Sequence, residues 1–261
     1  MKKVFQIIVY VFAGIGFILV IVYFALQLGL TNTKGIIDNQ HDYFQNQIAD
    51  WQTTEEWQAL KQAILKDKDM INKVSTEVNV PSRIIVASLI VEQLRLFNSD
   101  RELFKKVFAP LKILGNQSQF SWGVMGIKQD TARAIENHLK DTSSPFYLGK
   151  EFENVLDFKT NNPDSERFER LTDEGSRYYS YLYAGFLIKQ IETQWEKAKF
   201  PISDKVGVIA TLFNIGFSNS KPNANPQIGG AQIQINKTTY SFGGLAQSFY
   251  NSNELVEDFK K

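Results

Sequence analysis

No cysteine occurs in the 261 residues. That excludes disulfides, a thiol nucleophile and cysteine-ligated metal, so any folded domain here is held by its core alone. Histidine is nearly as scarce. His41 and His138 are the two in the chain, which leaves little for a multi-histidine zinc site or a Ser-His-Asp triad. His138 stands among Glu136, Asn137 and Lys140 on what reads as a helix surface, and solvation is its expected state. No D-x-[DN]-x-[DN]-G spacing offers a calcium loop, and no segment repeats. An excess of one charge is missing too: with Lys2 and Lys3 set aside, 27 basic residues face 28 acidic ones. A near-neutral domain carries no electrostatic footprint for nucleic acid, so no nucleic-acid partner is expected. Neither a metal nor a cofactor is expected, and enzymatic chemistry is left to carboxylates.

What is present begins with a long run free of charge, the 27 residues from Val4 to Leu30. As a helix it would be about 40 Å long, more than the roughly 30 Å hydrocarbon core of a bilayer requires. Lys2 and Lys3 precede it, which keeps the amino terminus in the cytoplasm and sends the remainder across. The run is too long for a cleaved signal peptide and lacks a small-x-small site before Lys34, so an uncleaved anchor over residues 1–30 is the expectation. Residues 31–40 read as a polar tether and 41–261 as one domain, for which a 43% hydrophobic content suffices.

Within that domain the stretch Val80 to Phe97, VPSRIIVASLIVEQLRLF, organises the rest. Pro81 fits a first helical turn, and neither glycine nor proline follows to stop the helix. Ile84, Ala87, Val91 and Leu94 recur at spacings of three and four, and Ile85 and Ser88 fill the gaps, so a buried helix is expected. Glu92 is the one carboxylate inside it. Loss of hydration raises the pKa of such an acid, which then keeps a proton near neutrality and can give it to a leaving oxygen. Two plainer alternatives stand beside this: a Glu turned to solvent at the helix end, or one paired with Arg95.

Helical patterns also cover His41 to Lys66, with a capping box at Thr53 to Glu56, and Asp69 to Val78. Asn98 to Phe120 carries Phe104, Val107, Phe108, Leu111 and Ile113, enough for a small packed helix. Asp130 or Thr131 is placed to cap a helix through Leu139, and Thr142 to Ser176 reads as a polar surface excursion with at most short helices. Arg177 to Lys199 predicts a long helix with Tyr183, Leu187, Ile191 and Trp195 on one face, and with Ala184 and Gly185 permitting close helix packing. Ser203 or Asp204 is placed to cap the next helix, whose face of Val206, Ile209, Ala210 and Phe213 closes at Asn214 and Gly216. Gln232 to Asn236 and Thr239 to Phe242 alternate as a β-hairpin, and Leu245 to Lys260 returns to a helical pattern.

Four of these stretches resemble, in order, segments of the lytic transglycosylase and goose-type lysozyme families. They are Ile71 to Arg95, the SWGVMGIKQDTA run from Ser121 to Ala132, YAGFLIKQI from Tyr183 to Ile191, and ATLFNIG from Ala210 to Gly216. The resemblance implies a mainly α (α+β), lysozyme-like fold with a small C-terminal hairpin after the membrane helix. It implies Glu92 as the catalytic acid and base. Ser121, Gly123, Met125, Gly126, Phe213 and Asn214 become the substrate-binding positions, and the glycan strands of peptidoglycan the partner. The implied setting is a bacterial cytoplasmic membrane with the domain outside, alongside cell-envelope machinery. Departures are Gln93 where the families often have Ser, Gly126 where they have Gln, and Phe213 where they have Tyr.

The implied reaction is cleavage between N-acetylmuramic acid and N-acetylglucosamine with formation of a 1,6-anhydro sugar, for which one carboxylate suffices. Hydrolysis of the same bond needs a second carboxylate at about 5 to 9 Å. Asp130, Asp173 and Glu174 are available for that role, but none lies in a recognisable partner motif. A lysozyme-like hydrolase and a catalytically silent, glycan-binding scaffold are the alternatives.

Overall fold

A computed structural model describes residues 49–97 and 121–260. The membrane run, the tether, His41 and the segment 98–120 lie outside the described residues. No helix among those described is long and apolar enough to cross a membrane.

The described fold is mainly helical, with two small antiparallel hairpins. After a short 3-10 turn at Asp50–Thr53, α1 (Glu55–Lys66) and α2 (Lys68–Val78) lead into α3 (Ser82–Phe97). Strands β1 (Ser121–Trp122) and β2 (Ile127–Lys128) precede α4 (Gln129–Lys140), α5 (Pro163–Thr172), α6 (Tyr178–Lys197) and α7 (Val206–Ile215). The chain closes with β3 (Gln232–Ile235), β4 (Thr238–Ser241) and α8 (Phe242–Asn251).

Helix α3 is the axis of the packing, in contact with α1, α2, α6, α7 and α8. Its apolar residues explain the position: Ile84, Ile85, Val86, Ala87, Leu89, Ile90 and Val91 are all buried, so every face of the helix needs a neighbour. Each large member contributes about 1.5–3 kcal/mol through burial. The turn into α3 is set by Asn79 in the left-handed region at φ 53°, while Ser75 Oγ donates to Val80 O at 2.7 Å. Gly185 lets α6 approach α2, since a Cβ there would stand 2.9 Å from Val78 Cγ2. Tyr183, Leu187, Ile191 and Trp195 are buried, as their spacing on α6 predicts.

The second hairpin pairs Ile233 with Tyr240 and Ile235 with Thr238. Asn236 takes the positive φ (53°) that a two-residue turn demands. The ends of the domain meet at an aromatic cluster, where the Trp51 ring is 5.0 Å from Trp57 and Trp51 Nε1 donates to Ser248 Oγ at 3.0 Å.

Several local expectations shift. The α1 cap is Thr54, whose side chain accepts from Trp57 N at 3.1 Å, rather than Thr53. Helix α4 starts at Gln129, ahead of Asp130 and Thr131, and α7 follows Lys205 rather than Ser203 or Asp204; neither start has a side-chain cap bond. Helix α8 runs earlier than the 245–260 pattern, capped by Ser241. His138 is half-buried rather than solvated: its Nδ1 faces Ser144 Oγ at 2.9 Å, and its ring lies 4.6 Å from Phe146 and 4.8 Å from Phe217. Burial holds its pKa below the usual histidine range, with Asp141 opposing.

The polar stretch before α6 also holds more than surface. Arg167 and Arg170 are buried on α5. Arg167 grips Glu136 through Nε at 2.7 Å and Nη2 at 2.6 Å, and Tyr183 donates to the same carboxylate at 2.6 Å. Arg170 meets Glu166 at 2.5 Å and the carbonyls of Leu156 and Asp157 at 2.9 and 2.6 Å.

Candidate active site around Glu92

The apolar surface of α3 carries Glu92 inside, where the residue is 3% exposed. Its own helix supplies a partner one turn on. Arg95 Nη2 donates to Oε1 at 2.5 Å and Arg95 Nε to Oε2 at 3.1 Å, a two-pronged ion pair. The Arg95 side chain is 18% exposed against 4% for Glu92, so the guanidinium is the member that reaches solvent. The arrangement combines two sequence expectations, the buried acid and the pair with Arg95.

The β1–β2 hairpin brings the second motif onto this carboxylate. Trp122 pairs with Ile127, and Gly126 N donates to Gly123 O at 3.2 Å, closing a tight turn. Gly123 and Gly126 both need positive φ, 65° and 62°. At Gly126 a Cβ would fall 2.5 Å from Glu92 Cδ and 2.9 Å from its Cγ, so a side chain at this position collides with the acid. Backbone alone fits against Glu92 in this arrangement.

Other contacts fix the loop. Gln93 Nε2 donates to Val124 O at 2.5 Å, and Met125 N donates to Ser180 Oγ at 3.2 Å. A Cβ on Gly123 would stand 2.7 Å from that same Ser180 Oγ. Ser180, on α6, thus ties the third motif region to the second. Nothing in the sequence singled it out, because a serine inside a helical pattern carries no signal of its own. Gln93 serves the same purpose from α3.

The remaining positions separate into structural tasks. Met125 is fully buried and packs as core. The side chain of Ser121 lies outside what is described, and its backbone pairs with Lys128. Phe213, 8% exposed, stacks on Phe242 at 6.3 Å between ring centroids. Asn214 Oδ1 accepts from Ala231 N at 2.9 Å, fastening the loop before β3 to the end of α7. A Cβ on Gly230 would be 3.0 Å from that oxygen, so the loop passes close.

Asp130, Asp173 and Glu174, the acids available as a second carboxylate, are all exposed. No group of three or more His, Asp or Glu side chains is arranged to hold a metal ion among the described residues. A further acid stands out on α6. Burial pushes Glu192 up to about 7, with Lys189 opposing and Glu196 reinforcing. No family model, no curated protein and no solved structure matches this chain.

Proposed function

We propose that this protein is a membrane-anchored lytic transglycosylase of lysozyme-like architecture that cuts the glycan strands of peptidoglycan, with Glu92 as its single acid and base. The observation that supports the reading most is the seating of the 123–126 turn on the Glu92 carboxylate, where Gly126 leaves room for no side chain. Two motifs separated in sequence, each weak alone, meet at the one group the chemistry requires. In this reaction protonated Glu92 gives its proton to the glycosidic oxygen as the bond to the anomeric carbon breaks. The resulting carboxylate takes the proton of the 6-hydroxyl as that oxygen closes on the anomeric carbon, which yields the 1,6-anhydro sugar and restores the acid. No acid in the chain stands in a recognisable partner motif, which favours this over hydrolysis, a reaction that needs a second carboxylate across the bond.

The run from Val4 to Leu30 places the domain on the outer side of a bacterial cytoplasmic membrane in this reading, within reach of the wall and of cell-envelope machinery. A second reading, a silent module that binds glycan as a scaffold, is favoured by the Arg95 clamp, since a paired carboxylate has no proton to give.

Mass spectrometry of muropeptides separates the two. The full chain in detergent micelles, incubated with isolated peptidoglycan, is expected to release products lighter by one water than hydrolytic ones. Glu92→Gln should release none. Hydrated reducing ends that depend on Glu92 would assign hydrolysis instead, and binding without release would assign the scaffold.

A further inference from the structure

Away from Glu92, one half-buried ring joins three segments of the chain. His138, near the end of α4, lies against Phe146 and Phe217, with ring centroids 4.6 and 4.8 Å away, and the two phenylalanines meet each other at 4.8 Å. Phe217 opens the 3-10 turn Phe217–Asn219, which follows α7 directly after Gly216. That turn closes back on the helix: Asn219 Nδ2 donates to Ile215 O at 2.8 Å, and Asn219 N to Gly216 O at 3.2 Å. Its far end is pinned by Ser220, whose Oγ accepts from Trp195 Nε1 at 2.9 Å. Phe217 fastens the near end, next to Asn214.

The hydrogen bonds around the ring favour its neutral form. Ser144 Oγ accepts from Phe146 N at 3.1 Å, so its own proton is directed to His138 Nδ1, 2.9 Å away, and this network assigns the imidazole proton to Nε2. A proton added at Nδ1 would face the Ser144 proton, and Ser144 is buried, with little water to turn to. Burial disfavours the imidazolium as well; Asp141, itself held by Ser143 N and Oγ, opposes burial without overcoming it. Other charges nearby are engaged elsewhere: Glu136 with Arg167, Lys140 with Asp157, and Lys197 of α6 with Tyr147 O. The loop 142–149 and the turn 217–219 bring no charged side chain, and the Tyr147 hydroxyl donates to Glu153. Glu192 on α6 gains a proton as pH falls and so acts in the opposite sense.

We propose that His138 is an acid-sensitive latch: while neutral it holds Phe217, and through it the 216–220 turn at the end of α7, and on protonation it releases that turn together with Asn214. The folded pKa lies below the unfolded one, so the stability tied to the neutral ring is complete above about pH 6.5 and is lost as pH falls below that value. Asn214 also holds Ala231, so the release reaches the loop before β3. The latch stands whatever chemistry Glu92 performs.

Hydrogen exchange read by mass spectrometry tests this on the full chain in detergent, at about pH 7.5 and about pH 5.5, with rates converted to protection factors so that the intrinsic pH dependence of exchange cancels. Amides of 216–220 should lose about 10-fold in protection at the lower pH, within the tenfold per pH unit that one proton can impose, while α3 keeps its protection. NMR on protein with isotope-labelled histidine gives the His138 titration, and His41→Gln identifies the signal. Its midpoint should lie below that of a histidine in an unstructured peptide and coincide with the loss of protection. His138→Phe keeps a ring in the cluster without a titrating group and should hold protection at both pH values, whereas His138→Lys should lack it at both. Equal wild-type protection at the two pH values would overturn the latch. So would a loss that persists in His138→Phe or spreads to α3, since the acid sensitivity would then lie elsewhere. Should His138→Phe fail to fold, the two wild-type midpoints decide: their separation overturns the latch, and their coincidence supports it.

Discussion

A Cβ at position 126 meets two obstacles, the Glu92 carboxyl group 2.5 Å away at Cδ and a backbone at φ 62°. The first comes from packing and the second from the chain itself, so they are separable by mutation. Gly126→Ala should cost about 2–4 kcal/mol in a urea titration, combining overpacking with left-handed strain. In a Glu92→Ala background the packing part disappears, and the same substitution should cost only about 1–2 kcal/mol. Equal costs in both backgrounds would mean that the turn does not bear on the acid. The need for glycine was legible in the sequence as a pair bracketing Met125. What it packed against was not, because Glu92 and Gly126 are distant in the chain and only the hairpin joins them.

Among the elements, α3 and α8 are fastened by a single buried arginine. Arg83 is 0% exposed and donates to the carbonyls of Phe249 and Tyr250 in the last turn of α8 and of Ser252 and Glu254 just beyond it. Arg83→Met should lower stability by about 2–4 kcal/mol, since a buried guanidinium and its four bonds to backbone carbonyls are lost. Arg83→Lys should recover only a fraction, because an ammonium cannot reproduce the planar fan of N–H groups. A urea midpoint for Arg83→Met that matches the wild type would show the clamp to be dispensable. Helix α6 carries a different liability in Glu192, raised by burial to about 7 from an ordinary 4.5. Its folded pKa exceeds the unfolded one, so the stability tied to its proton is complete below about pH 4.5 and is lost as pH rises through 7. Glu192→Gln should therefore leave stability near pH 4 unchanged and raise it on the order of 1–3 kcal/mol at pH 8. The same midpoint at both pH values in the variant and the wild type would place Glu192 in water.

At the scale of the whole molecule, the α5 network contributes to the acid limb of stability. Burial works against the Glu166 carboxylate, but the N–H groups of Lys159 and Thr160 and the Arg170 guanidinium outweigh it and bring the pKa to about 2. Asp164 moves the same way, through its bonds to Arg133 and Arg167. A folded pKa below the unfolded value means stability that is present above about pH 4.5 and lost as pH falls toward 2. The melting temperature should fall steeply over that window, and Glu166→Gln, destabilised at neutral pH, should show a flatter descent; a wild-type melting curve that holds to pH 2 would contradict the network's role. At the other end of the chain, the anchor proposal predicts that the full protein floats with phospholipid vesicles on a density gradient. Deletion of residues 2–30 should leave it in the soluble layer, and flotation of the deleted form would assign membrane binding elsewhere.

The chain alone determined its helical character, the buried course of α3, the apolar face of α6 and the second hairpin. These follow from periodicities of 3.6 and 2, which are local properties of residues within one turn or one strand pair. It also marked Glu92 as a carboxylate set in an apolar helix, and that residue is buried. Cap positions slipped by one to a few residues where polar neighbours such as Thr53, Asp130 and Ser203 were equally eligible, and the geometry of the turn chose among them or used none. The charges of 163–172 read as surface because helical spacing shows only the pairs of Arg167 with Asp164 and Arg170 with Glu166, while burial comes from Glu136 and a loop carbonyl row distant in sequence. The Arg95 pair was open to local spacing, three residues along one helix, but tertiary structure alone decided that Gly126 presses against Glu92 and that Asn214 holds Ala231. Each depends on where separate elements meet in space, and local sequence carries no record of that distance.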